Sequence, residues 1–551
     1  MRFRTKWGFL LIAAAVAAIA LHVEIQAAKE VLWLDFDMKN IPEPKERSAD
    51  FYDNFFHEQL FEKGKQSLDI PRLFRAIAGN PKPAMNVNAV DEVPDSSWFT
   101  NRHYLRHMSI ADVVRGPNKG DAPNFDGATI TKAKSSGVTP GMQLKDAKGD
   151  SYLIKFDEKE HPELLSAAEV MSTKILYAAG YNVPENYIAY IRPDRLKIGE
   201  KVAITEGTKK RPMEESDLEK LLQNAASLPD GRYRVLASKI LPGKPKGPFS
   251  HVGIRRDDPN DLIPHEHRRE LRGLRLIASW INHVDMKEEQ SLDMYVEENG
   301  RHFLRHYLLD FGSTFTGGLP LEYFHGREYG FDLQSIEKEV VTLGIYKSAD
   351  EKNGVVVSPE VGIFTSHDFD PAHWRPTYPC IAFDNMTDRD AFWAMRIIMS
   401  FTEPELRKIV ETAEYSNPRN TEYVLRTLME RRQILANYWL RKVNPIASFS
   451  VETPSGALAL KFRDILVDAG LADSAATEYE YQIQGASYGK AIQPVLLLDR
   501  QALGQLLEKN PNGPIAFTIR TRRSGTSSDP VTVYLTQNKE HELRISRIVR
   551  G

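Results

Sequence analysis

Apolar and polar positions alternate in short runs between residues 127 and 156, and glycines and other turn residues separate the runs. Alternation with a period of two residues is typical of strands, and turn residues between such runs indicate hairpins. Strands are predicted at residues 129–133, 142–145, 151–156, 186–191, 201–205 and 233–241. Residues 126–247 are therefore predicted to form a β-rich lobe.

Helical spacing of the apolar residues begins after Pro162 and stops at Gly180, which predicts one helix inside this lobe. The same spacing predicts further helices at residues 265–281, 390–400, 403–415 and 421–442. Residues 248–443 are therefore predicted to be a helical lobe, and prolines and glycines between residues 241 and 253 mark the connector. Four arginines on the first of these helices are expected to form a solvent-exposed basic face, at positions 268, 269, 272 and 275.

The two ends of the chain show other patterns. Short alternating runs return after residue 443, and they predict a β-sandwich-like domain at residues 444–551. Residues 28–125 show no sustained periodicity and are predicted to be an extension that packs on the two lobes. Large aromatic residues usually bury for their area, so the expected anchors of the extension are Trp33, Phe55, Phe56, Trp98 and Phe99. The alternative is that residues 95–98 line a ligand groove. The predicted fold class is α+β.

The composition narrows the classes of function without changing this fold prediction. The 551 residues carry a formal net charge of −3, so no overall basic field favours binding to nucleic acid. The single cysteine, Cys380, excludes an intrachain disulfide framework and a cysteine-rich zinc site.

The N-terminal residues have the order of a secretory signal. Three basic residues precede an uncharged run at residues 7–21, and two small residues follow at 27–28. We therefore expect residues 1–27 to be a signal peptide and the protein to be exported to a periplasmic, cell-envelope or extracellular location. The alternative is an uncleaved membrane anchor, which would be the only expected contact with a membrane. Cleavage is favoured because the run is short for a span of about 20 residues.

Candidate chemistry concentrates in residues 280–315. Asp285 follows the apolar helical run, Lys287 comes two residues later, and the tripeptide that begins at Asp310 (Asp-Phe-Gly, DFG) ends a predicted hairpin turning at Gly300. An aspartate that accepts a hydroxyl proton, a hairpin and a second aspartate that holds Mg²⁺ are the layout of a phosphoryl-transfer site. A DFG tripeptide alone is a weak signal, but the three features in this order are a stronger one.

Two residues of the β-rich lobe extend this layout. Lys155 lies between apolar neighbours in a predicted strand, and Glu169 follows 14 residues later on the predicted helix. A lysine that reaches nucleotide phosphates needs a helix glutamate to fix its position. The alternatives are that Lys155 points to solvent and that Glu169 is an ordinary exposed helix residue. Gly137 and Gly141 would let backbone amides approach the phosphates.

The order of glycine loop, strand lysine, helix glutamate, connector, aspartate loop, hairpin and DFG in residues 127–443 resembles the protein-kinase-like superfamily. The chain is most similar in this respect to the atypical bacterial branch, the HipA-like and spore-coat CotH-like kinases. The resemblance implies a bilobal protein-kinase-like fold that binds ATP with Mg²⁺, or with Mn²⁺ in its place. It also implies that Lys155 contacts the phosphates, that Glu169 pairs with this lysine, and that Gly137 and Gly141 lie along the nucleotide.

The resemblance assigns the remaining roles to the aspartate loop and the DFG. Asp285 would be the catalytic base or the residue that orients the hydroxyl, Lys287 would neutralise charge on the transferring phosphoryl group, and Asp310 would bind the metal ion. Gln290 stands where the family usually has a metal-binding asparagine, which puts the second metal site in doubt. Val284 stands where the family usually has arginine, and the chain lacks an APE tripeptide and a standard glycine loop.

Two functions are consistent with these residues. The first is an exported atypical kinase that transfers a phosphoryl group from ATP to the hydroxyl of a protein or a small molecule. The alternative is a catalytically inactive pseudokinase that serves as an envelope or surface binding scaffold, which Gln290 and the predicted export favour. A different nucleotide transfer at the same site, such as adenylylation, is a third use of the same residues.

Overall fold

The computed structural model describes residues 33–47, 81–133, 141–206, 209–315, 326–327, 356–511, 513–539 and 541–551. The predicted signal segment, the predicted anchors Phe55 and Phe56, and Gly137 lie outside these residues. The chain divides into two compact units. The larger unit comprises Asp35–Asn86 and Asp95–Trp439, and the second unit comprises Met1–Leu34, Val87–Pro94 and Leu440–Gly551.

Strands and helices follow one another along the described chain, and they are numbered here in chain order. The strands are β1 Thr129–Ala133, β2 Gly141–Lys145, β3 Ser151–Phe156, β4 Asn186–Ile191, β5 Lys197–Ile198, β6 Ala203–Glu206, β7 Lys209–Pro212, β8 Tyr233–Lys239, β9 Lys244–Pro245, β10 Ser291–Glu298, β11 Arg301–Leu308, β12 Ile446–Glu452, β13 Leu458–Asp464, β14 Thr477–Ile483, β15 Ala486–Ala491, β16 Val495–Leu498, β17 Ile515–Arg523, β18 Thr526–Ser527, β19 Val531–Gln537 and β20 Leu543–Arg550. The helices are α1 His103–Arg106, α2 Ile110–Arg115, α3 Leu164–Ala179, α4 Glu215–Leu222, α5 Arg269–Ile281, α6 Ile381–Asp384, α7 Asp388–Ser400, α8 Glu403–Glu411, α9 Pro418–Trp439, α10 Ile465–Asp468 and α11 Arg500–Lys509.

A six-stranded sheet forms the β-rich lobe, in the order β4-β8-β3-β2-β1-β5. Its neighbouring strands are antiparallel, except that β5 runs parallel to β1. Alternate strand residues such as Ile130, Leu144 and Ile154 are buried in one core, to which helix α4 contributes Leu218 and Leu222. Fully burying one aliphatic side chain stabilises a fold by about 1.5–3 kcal/mol. The burial of the alternating apolar side chains therefore stabilises this lobe. The strands predicted at 129–133 and 151–156 are confirmed.

Helix α3 begins at Leu164 and ends before Gly180, close to its predicted limits. Gly180 has a φ of 127°, and a side chain at this position would overlap the ring of Phe99. Both the backbone conformation and the close approach therefore require glycine. All residues of α3 except Leu165 and Tyr177 are buried. Polar residues of this helix must therefore find their partners inside the protein.

Helices α5, α7, α8 and α9 make up most of the helical lobe, and the four helices predicted there are confirmed. Thr387 and Thr402 are the N-caps of α7 and α8 in capping boxes, in which Asp390 and Glu405 accept hydrogen bonds from the backbone N–H groups of these threonines. The larger unit is therefore α+β and has two lobes, as predicted.

The prediction of a solvated arginine face on α5 is wrong. Arg268, Arg269 and Arg272 are buried, and only Arg275 is partly exposed. Asp390 accepts hydrogen bonds from Arg269 Nε at 3.0 Å and from Arg272 Nη1 at 3.2 Å. A buried charge is tolerated when it is paired, and this partner comes from α7, more than one hundred residues away in the chain.

A hairpin of β10 and β11 follows the helical run, as predicted, with Ser291 opposite Leu308. Asn299 and Gly300 turn the chain with φ values of 52° and 71°, which matches the two positive angles of a type I′ turn. Because Ser291 and Leu308 pair at the open end of the hairpin, the loop before β10 and the tripeptide after β11 lie side by side.

Trp98 and Phe99 are buried anchors of the segment that precedes the β-rich lobe. The Trp98 ring stacks on His306 with a centroid distance of 3.6 Å, and Phe99 contacts Tyr181 at 5.5 Å between centroids. Residues 96–98 are buried, so the alternative of a ligand groove at 95–98 is not supported. Trp33 is 46% exposed, and its prediction as an anchor is wrong.

The second unit contains two β-sheets over one apolar core, in agreement with the sandwich-like prediction. One sheet has the order β12-β13-β16, and the other has the order β15-β14-β17-β19-β20 with β18 paired to β17. Both sheets and helix α11 supply the core, through residues such as Leu460, Phe517 and Leu503. Among the described residues, none of the helices combines the length and the apolar character that a membrane span needs.

Candidate active site

Lys155 lies near the end of β3 with its side chain inside the protein. In the sheet it is opposite Gly141 of β2 and Leu236 of β8. Its Nζ donates to Glu169 Oε1 at 2.7 Å and to Asp310 Oδ1 at 2.7 Å. The alternative that Lys155 points to solvent is therefore wrong, and its predicted pairing with Glu169 is confirmed.

Glu169 is held from both of its carboxylate oxygens. Lys155 binds one oxygen, and Asn186 Nδ2 donates to the other, Oε2, at 3.1 Å. Burial works to lower the pKa of Lys155, but the charges of Asp310 and Glu169 outweigh it and raise the pKa above its ordinary value. Lys155 is therefore a permanently charged ammonium group, which is the state that a phosphate-binding lysine needs.

Asp310 follows β11 and connects this lysine to the rest of the site. Its side chain is 50% exposed, and its φ of 57° places it in the left-handed region, which is uncommon for a non-glycine residue. The next residue, Phe311, is fully buried and contacts the His283 ring at a centroid distance of 5.7 Å. Strained backbone of this kind concentrates at functional sites, and here it turns the Asp310 carboxylate toward Lys155.

Asp285 and Lys287 lie in the loop between α5 and β10. Lys287 Nζ is 3.5 Å from Asp285 Oδ1, and Gln290 Nε2 donates a hydrogen bond to Asp285 Oδ2. Burial raises the pKa of Asp285, the charge of Lys287 opposes this shift, and the charge of Asp310 adds to it. The raised pKa makes Asp285 a better proton acceptor than an ordinary exposed aspartate.

His283 is buried between these groups, and burial lowers its pKa to about 4, with Asp310 acting in the opposite direction. The imidazole is therefore neutral at physiological pH. Since its ring contacts Phe311, His283 connects the aspartate loop to the DFG tripeptide as a packing residue.

Oxygen atoms of the kind that bind a divalent metal ion lie at the open end of the hairpin. Asp310 supplies a carboxylate, and Gln290 supplies an amide oxygen, Oε1, which is buried and has no hydrogen-bond partner in the described part of the chain. Carboxylate and amide oxygens are the donors that Mg²⁺ and Mn²⁺ prefer. A buried acceptor without a partner is costly, so a cation beside Gln290 would satisfy it despite the extra methylene group relative to asparagine.

Some residues of the site could not be found from local sequence. Arg47 donates to Glu288 Oε2 at 2.8 Å, and its position is 241 residues before that glutamate. Glu288 also accepts from Ser250 Oγ and from the His251 backbone, so three distant groups fix the loop that carries Asp285. The Tyr378 ring lies 5.4 Å from Lys287 Nζ, and it too comes from a distant part of the chain.

The predicted site residues thus come together, with one glycine untested. One group is joined by hydrogen bonds from Lys155 to Glu169 and to Asp310. A second group consists of Asp285, Lys287 and Gln290, and the charges of Asp285 and Asp310 act on each other. Gly141 begins the strand beside Lys155, and Gly137 lies outside the described residues. Strand lysine, helix glutamate, aspartate loop, hairpin and DFG therefore occupy the places they have in a bilobal protein-kinase-like fold.

No family model matches the chain, and no curated protein matches it in sequence. Similar solved structures include the Helicobacter pylori proinflammatory kinase CtkA, with 12% identity, a TM-score of 0.31 and coverage of 58% of this chain and 99% of that chain. The Golgi casein kinase has 9% identity, a TM-score of 0.30 and coverage of 75% and 97%. The same kinase with Mn/ADP bound has 10% identity, a TM-score of 0.29 and coverage of 73% and 94%. These similarities are low, so the description of the fold rests on the elements above.

Proposed function

We propose that this protein is an atypical kinase that transfers a phosphoryl group from ATP to the hydroxyl of a protein or a small molecule. The observation that carries the proposal is the Lys155 ammonium, bonded at 2.7 Å both to Glu169 and to Asp310. A buried lysine between a helix glutamate and a DFG aspartate is the charge arrangement that positions nucleotide phosphates beside a metal ion. A purely structural ion pair would not need the half-exposed third partner, Asp310.

Each residue has a role in this proposal. Lys155 binds phosphate oxygens while Glu169 keeps it in place, and Asp310 with Gln290 would hold the metal ion. When bound, Mg²⁺ or Mn²⁺ neutralises charge on the phosphate oxygens. Asp285 accepts the hydroxyl proton as the substrate oxygen bonds to the γ-phosphorus, the bond from that phosphorus to the bridging oxygen breaks, and ADP leaves.

Lys287 and the hydrogen bonds around Asp285 prepare the acceptor side of the reaction. Lys287 lies 3.5 Å from Asp285, where it can stabilise the negative charge that spreads over the transferring group. Gln290 donates to Oδ2 of Asp285 and so fixes the orientation of this carboxylate. The substrate site would then lie beside Lys287 and the Tyr378 ring.

A second candidate is a nucleotide-binding scaffold without catalytic activity. It is favoured by Gln290, which replaces the usual asparagine and donates a hydrogen bond to Asp285, the proposed base. It is also favoured by the direct hydrogen bond between Lys155 and Asp310. In that case the site binds a nucleotide and transfers nothing. We also propose that the chain is related to the HipA-like and CotH-like kinases, because its order of motifs resembles theirs. We propose export from the basic, apolar and small-residue order of residues 1–28.

The test is a phosphotransfer assay with the purified chain, ATP and either Mg²⁺ or Mn²⁺, in which both ATP consumption and phosphorylation of added proteins are followed. Asp310→Asn should abolish the activity, because an amide cannot replace the metal-binding charge. The matched control is Asp194→Asn, which changes a solvent-exposed aspartate of the β-rich lobe. Full activity in Asp310→Asn would contradict the proposal.

A thermal-shift titration separates the kinase from the scaffold. A ligand at 100 times its Kd stabilises the folded state by about 2.7 kcal/mol, so both candidates predict a higher melting temperature with ATP and metal. Only the kinase also predicts loss of ATP over time. Absence of any shift and of any turnover would reject both candidates.

A further inference from the structure

Two histidines and a glutamate come together outside the candidate active site. His103 lies in the short helix α1, His107 is the residue that caps this helix, and Glu405 lies in the first turn of α8. One ligand atom from each of the three side chains lies within 4.8 Å of the others. Imidazole and carboxylate are both common metal ligands, so this cluster is a candidate metal site.

His103 carries the clearest sign of a missing ligand. Its side chain is fully buried, and Nε2 lies 3.1 Å from the Ser400 carbonyl oxygen and 3.4 Å from Glu405 Oε2. Nδ1 is buried and has no hydrogen-bond partner in the described part of the chain. An unsatisfied buried polar atom destabilises the folded protein. In the tautomer that donates Nε2–H to Ser400, Nδ1 carries a lone pair, and no described protein group donates a hydrogen bond to it. This lone pair could coordinate a metal ion.

This arrangement has the supporting contacts of a metal site. Metal-binding histidines usually donate their other ring N–H to a carbonyl or a carboxylate, as His103 does to Ser400 in this tautomer. Ligating carboxylates are usually hydrogen-bonded in turn, and Glu405 Oε2 accepts from the Thr402 backbone at 2.7 Å and from Thr402 Oγ1 at 2.8 Å. Two of the three ligands are therefore held in place before any ion binds.

His107 supplies the accessible side of the cluster. It is exposed, its ring centroid lies 5.3 Å from that of His103, and its φ of 24° is unusual for a residue other than glycine. The exposed histidine gives an ion a path from solvent and leaves space for a water molecule. An uncommon backbone conformation at this residue is consistent with a functional constraint on its side chain.

We propose that His103, His107 and Glu405 bind a divalent transition-metal ion, with Zn²⁺ as the favoured ion. Two imidazoles, one carboxylate and an open position for water are a ligand set of tetrahedral zinc, whereas Mg²⁺ and Ca²⁺ prefer oxygen donors alone. Ligand atoms about 2.0–2.2 Å from a tetrahedral zinc ion lie about 3.3–3.6 Å from one another. The three ligand atoms, which lie within 4.8 Å of one another, must therefore move closer to bind an ion, and the exposed His107 is the side chain that can do so.

The site would connect two parts of the larger unit. His103 and His107 belong to the segment that precedes the β-rich lobe, and Glu405 belongs to the helical lobe. An ion shared between them ties this segment to the start of α8. The site uses none of the residues assigned to phosphoryl transfer, so it stands independently of the proposed function.

The experiment measures Zn²⁺ binding to the full chain, purified without a histidine tag, stripped with a chelator and kept in excess Mg²⁺. Calorimetric titration should give one Zn²⁺ per chain, and Co²⁺ in its place should give the visible absorption of a four-coordinate ion. His107→Ala removes the exposed ligand, and Glu405→Gln removes the carboxylate but keeps an acceptor for the capping box. Each variant should bind Zn²⁺ at least ten times more weakly.

Two controls make the result decisive. His302→Ala removes an exposed histidine of the β10–β11 hairpin and should leave the affinity unchanged. Equal melting temperatures of metal-free wild type and His107→Ala show that the variant is folded, and Zn²⁺ should raise the melting temperature of the wild type alone. Absence of stoichiometric binding in the wild type, or unchanged affinity in both ligand variants, overturns the proposal. Binding that is lost in Asp310→Asn and kept in His107→Ala also overturns it, because the ion then lies in the candidate active site.

Discussion

Replacing Lys155 by methionine should destabilise the larger unit strongly. The lysine is buried and bonds at 2.7 Å to Glu169, which is itself almost fully buried. Removing one partner of a buried ion pair leaves the other charge uncompensated, which costs about 3–5 kcal/mol. The matched control is Lys239→Met on strand β8, where the lysine is partly exposed and bonds to exposed Asp150 at 2.9 Å. An exposed pair of this kind is worth about 0–1 kcal/mol.

The size of the effect should depend on pH in a defined direction. In the wild type, the raised pKa of Lys155 stabilises the fold at every pH below its unfolded pKa of about 10.4, and this contribution is lost as the pH rises through the folded pKa. In Lys155→Met, Glu169 loses the charge that lowers its pKa, while burial continues to raise it. The folded variant then binds a proton that the unfolded chain releases above a pH of about 4.3, so its stability falls as the pH rises.

Urea unfolding followed by tryptophan fluorescence measures this difference. The larger unit contains Trp98, Trp280, Trp374, Trp393 and Trp439, so the signal reports mainly its unfolding. The difference in the free energy of unfolding between wild type and Lys155→Met should be small near pH 5. It should reach several kcal/mol near pH 7.5, which is about the full cost of an unpaired buried charge. The double variant Lys155→Met/Glu169→Gln should recover part of the loss at the higher pH.

Two outcomes would refute this reasoning. The first is a free energy of unfolding of Lys155→Met that differs by less than about 1 kcal/mol from that of Lys239→Met at neutral pH, because an exposed ion pair contributes no more than this. The second is a double variant that is less stable than Lys155→Met at the higher pH, since removal of the unpaired carboxylate should help. Either result would mean that Glu169 is satisfied by Asn186 and does not depend on Lys155.

The remaining predictions concern the base and one glycine. Because the pKa of Asp285 is raised, the phosphotransfer rate should fall on the acidic side at a pH above the ordinary aspartate pKa of about 3.9. Lys287→Met removes a charge that lowers this pKa, so the acidic limb of the pH–rate profile should move to higher pH. An acidic limb that does not move would argue against Asp285 as the base. Gly180→Ala should cost well over 1 kcal/mol in urea unfolding, because alanine at a positive φ is strained and its methyl group would overlap Phe99. Gly231→Ala is the control, with a positive φ of 80° and no atom within 4 Å of the added methyl group; equal losses in the two variants would show that the overlap with Phe99 contributes nothing.

The sequence was sufficient where all partners lie in adjacent elements. Lys155 and Glu169 lie on a strand and on the helix that follows it, and the order of the motifs predicted their pairing. Periodicity alone did not, because three consecutive residues of β3 and nearly all residues of α3 are buried. Asp285 and Asp310 flank a single hairpin, and the turn at Gly300 determines that they meet. In both cases one supersecondary unit determines the geometry, so the pattern of the chain predicts it.

The sequence was insufficient where a partner comes from a distant element. The arginines of α5 were expected to form a solvated face, yet Arg269 and Arg272 are buried and Asp390 of α7 accepts their hydrogen bonds. Arg47 and Glu288 are paired although 241 residues separate them in the chain. His103 precedes both lobes in the chain, yet its Nε2 lies 3.4 Å from Glu405 Oε2 in the helical lobe. Such pairs depend on how elements dock, which periodicity does not encode.

Gln290 shows how the structure changes the meaning of a sequence departure. The replacement of asparagine by glutamine weakened the expectation of a second metal ligand, because the longer side chain moves the amide oxygen. In the folded chain the amide nitrogen donates to Asp285, and this bond leaves the amide oxygen buried without a hydrogen-bond partner among the described residues. The extra methylene group therefore does not remove the oxygen from the site. The same contact that orients the base also presents an oxygen that a cation would satisfy, so Gln290 serves catalysis and metal binding with one side chain in the proposed kinase.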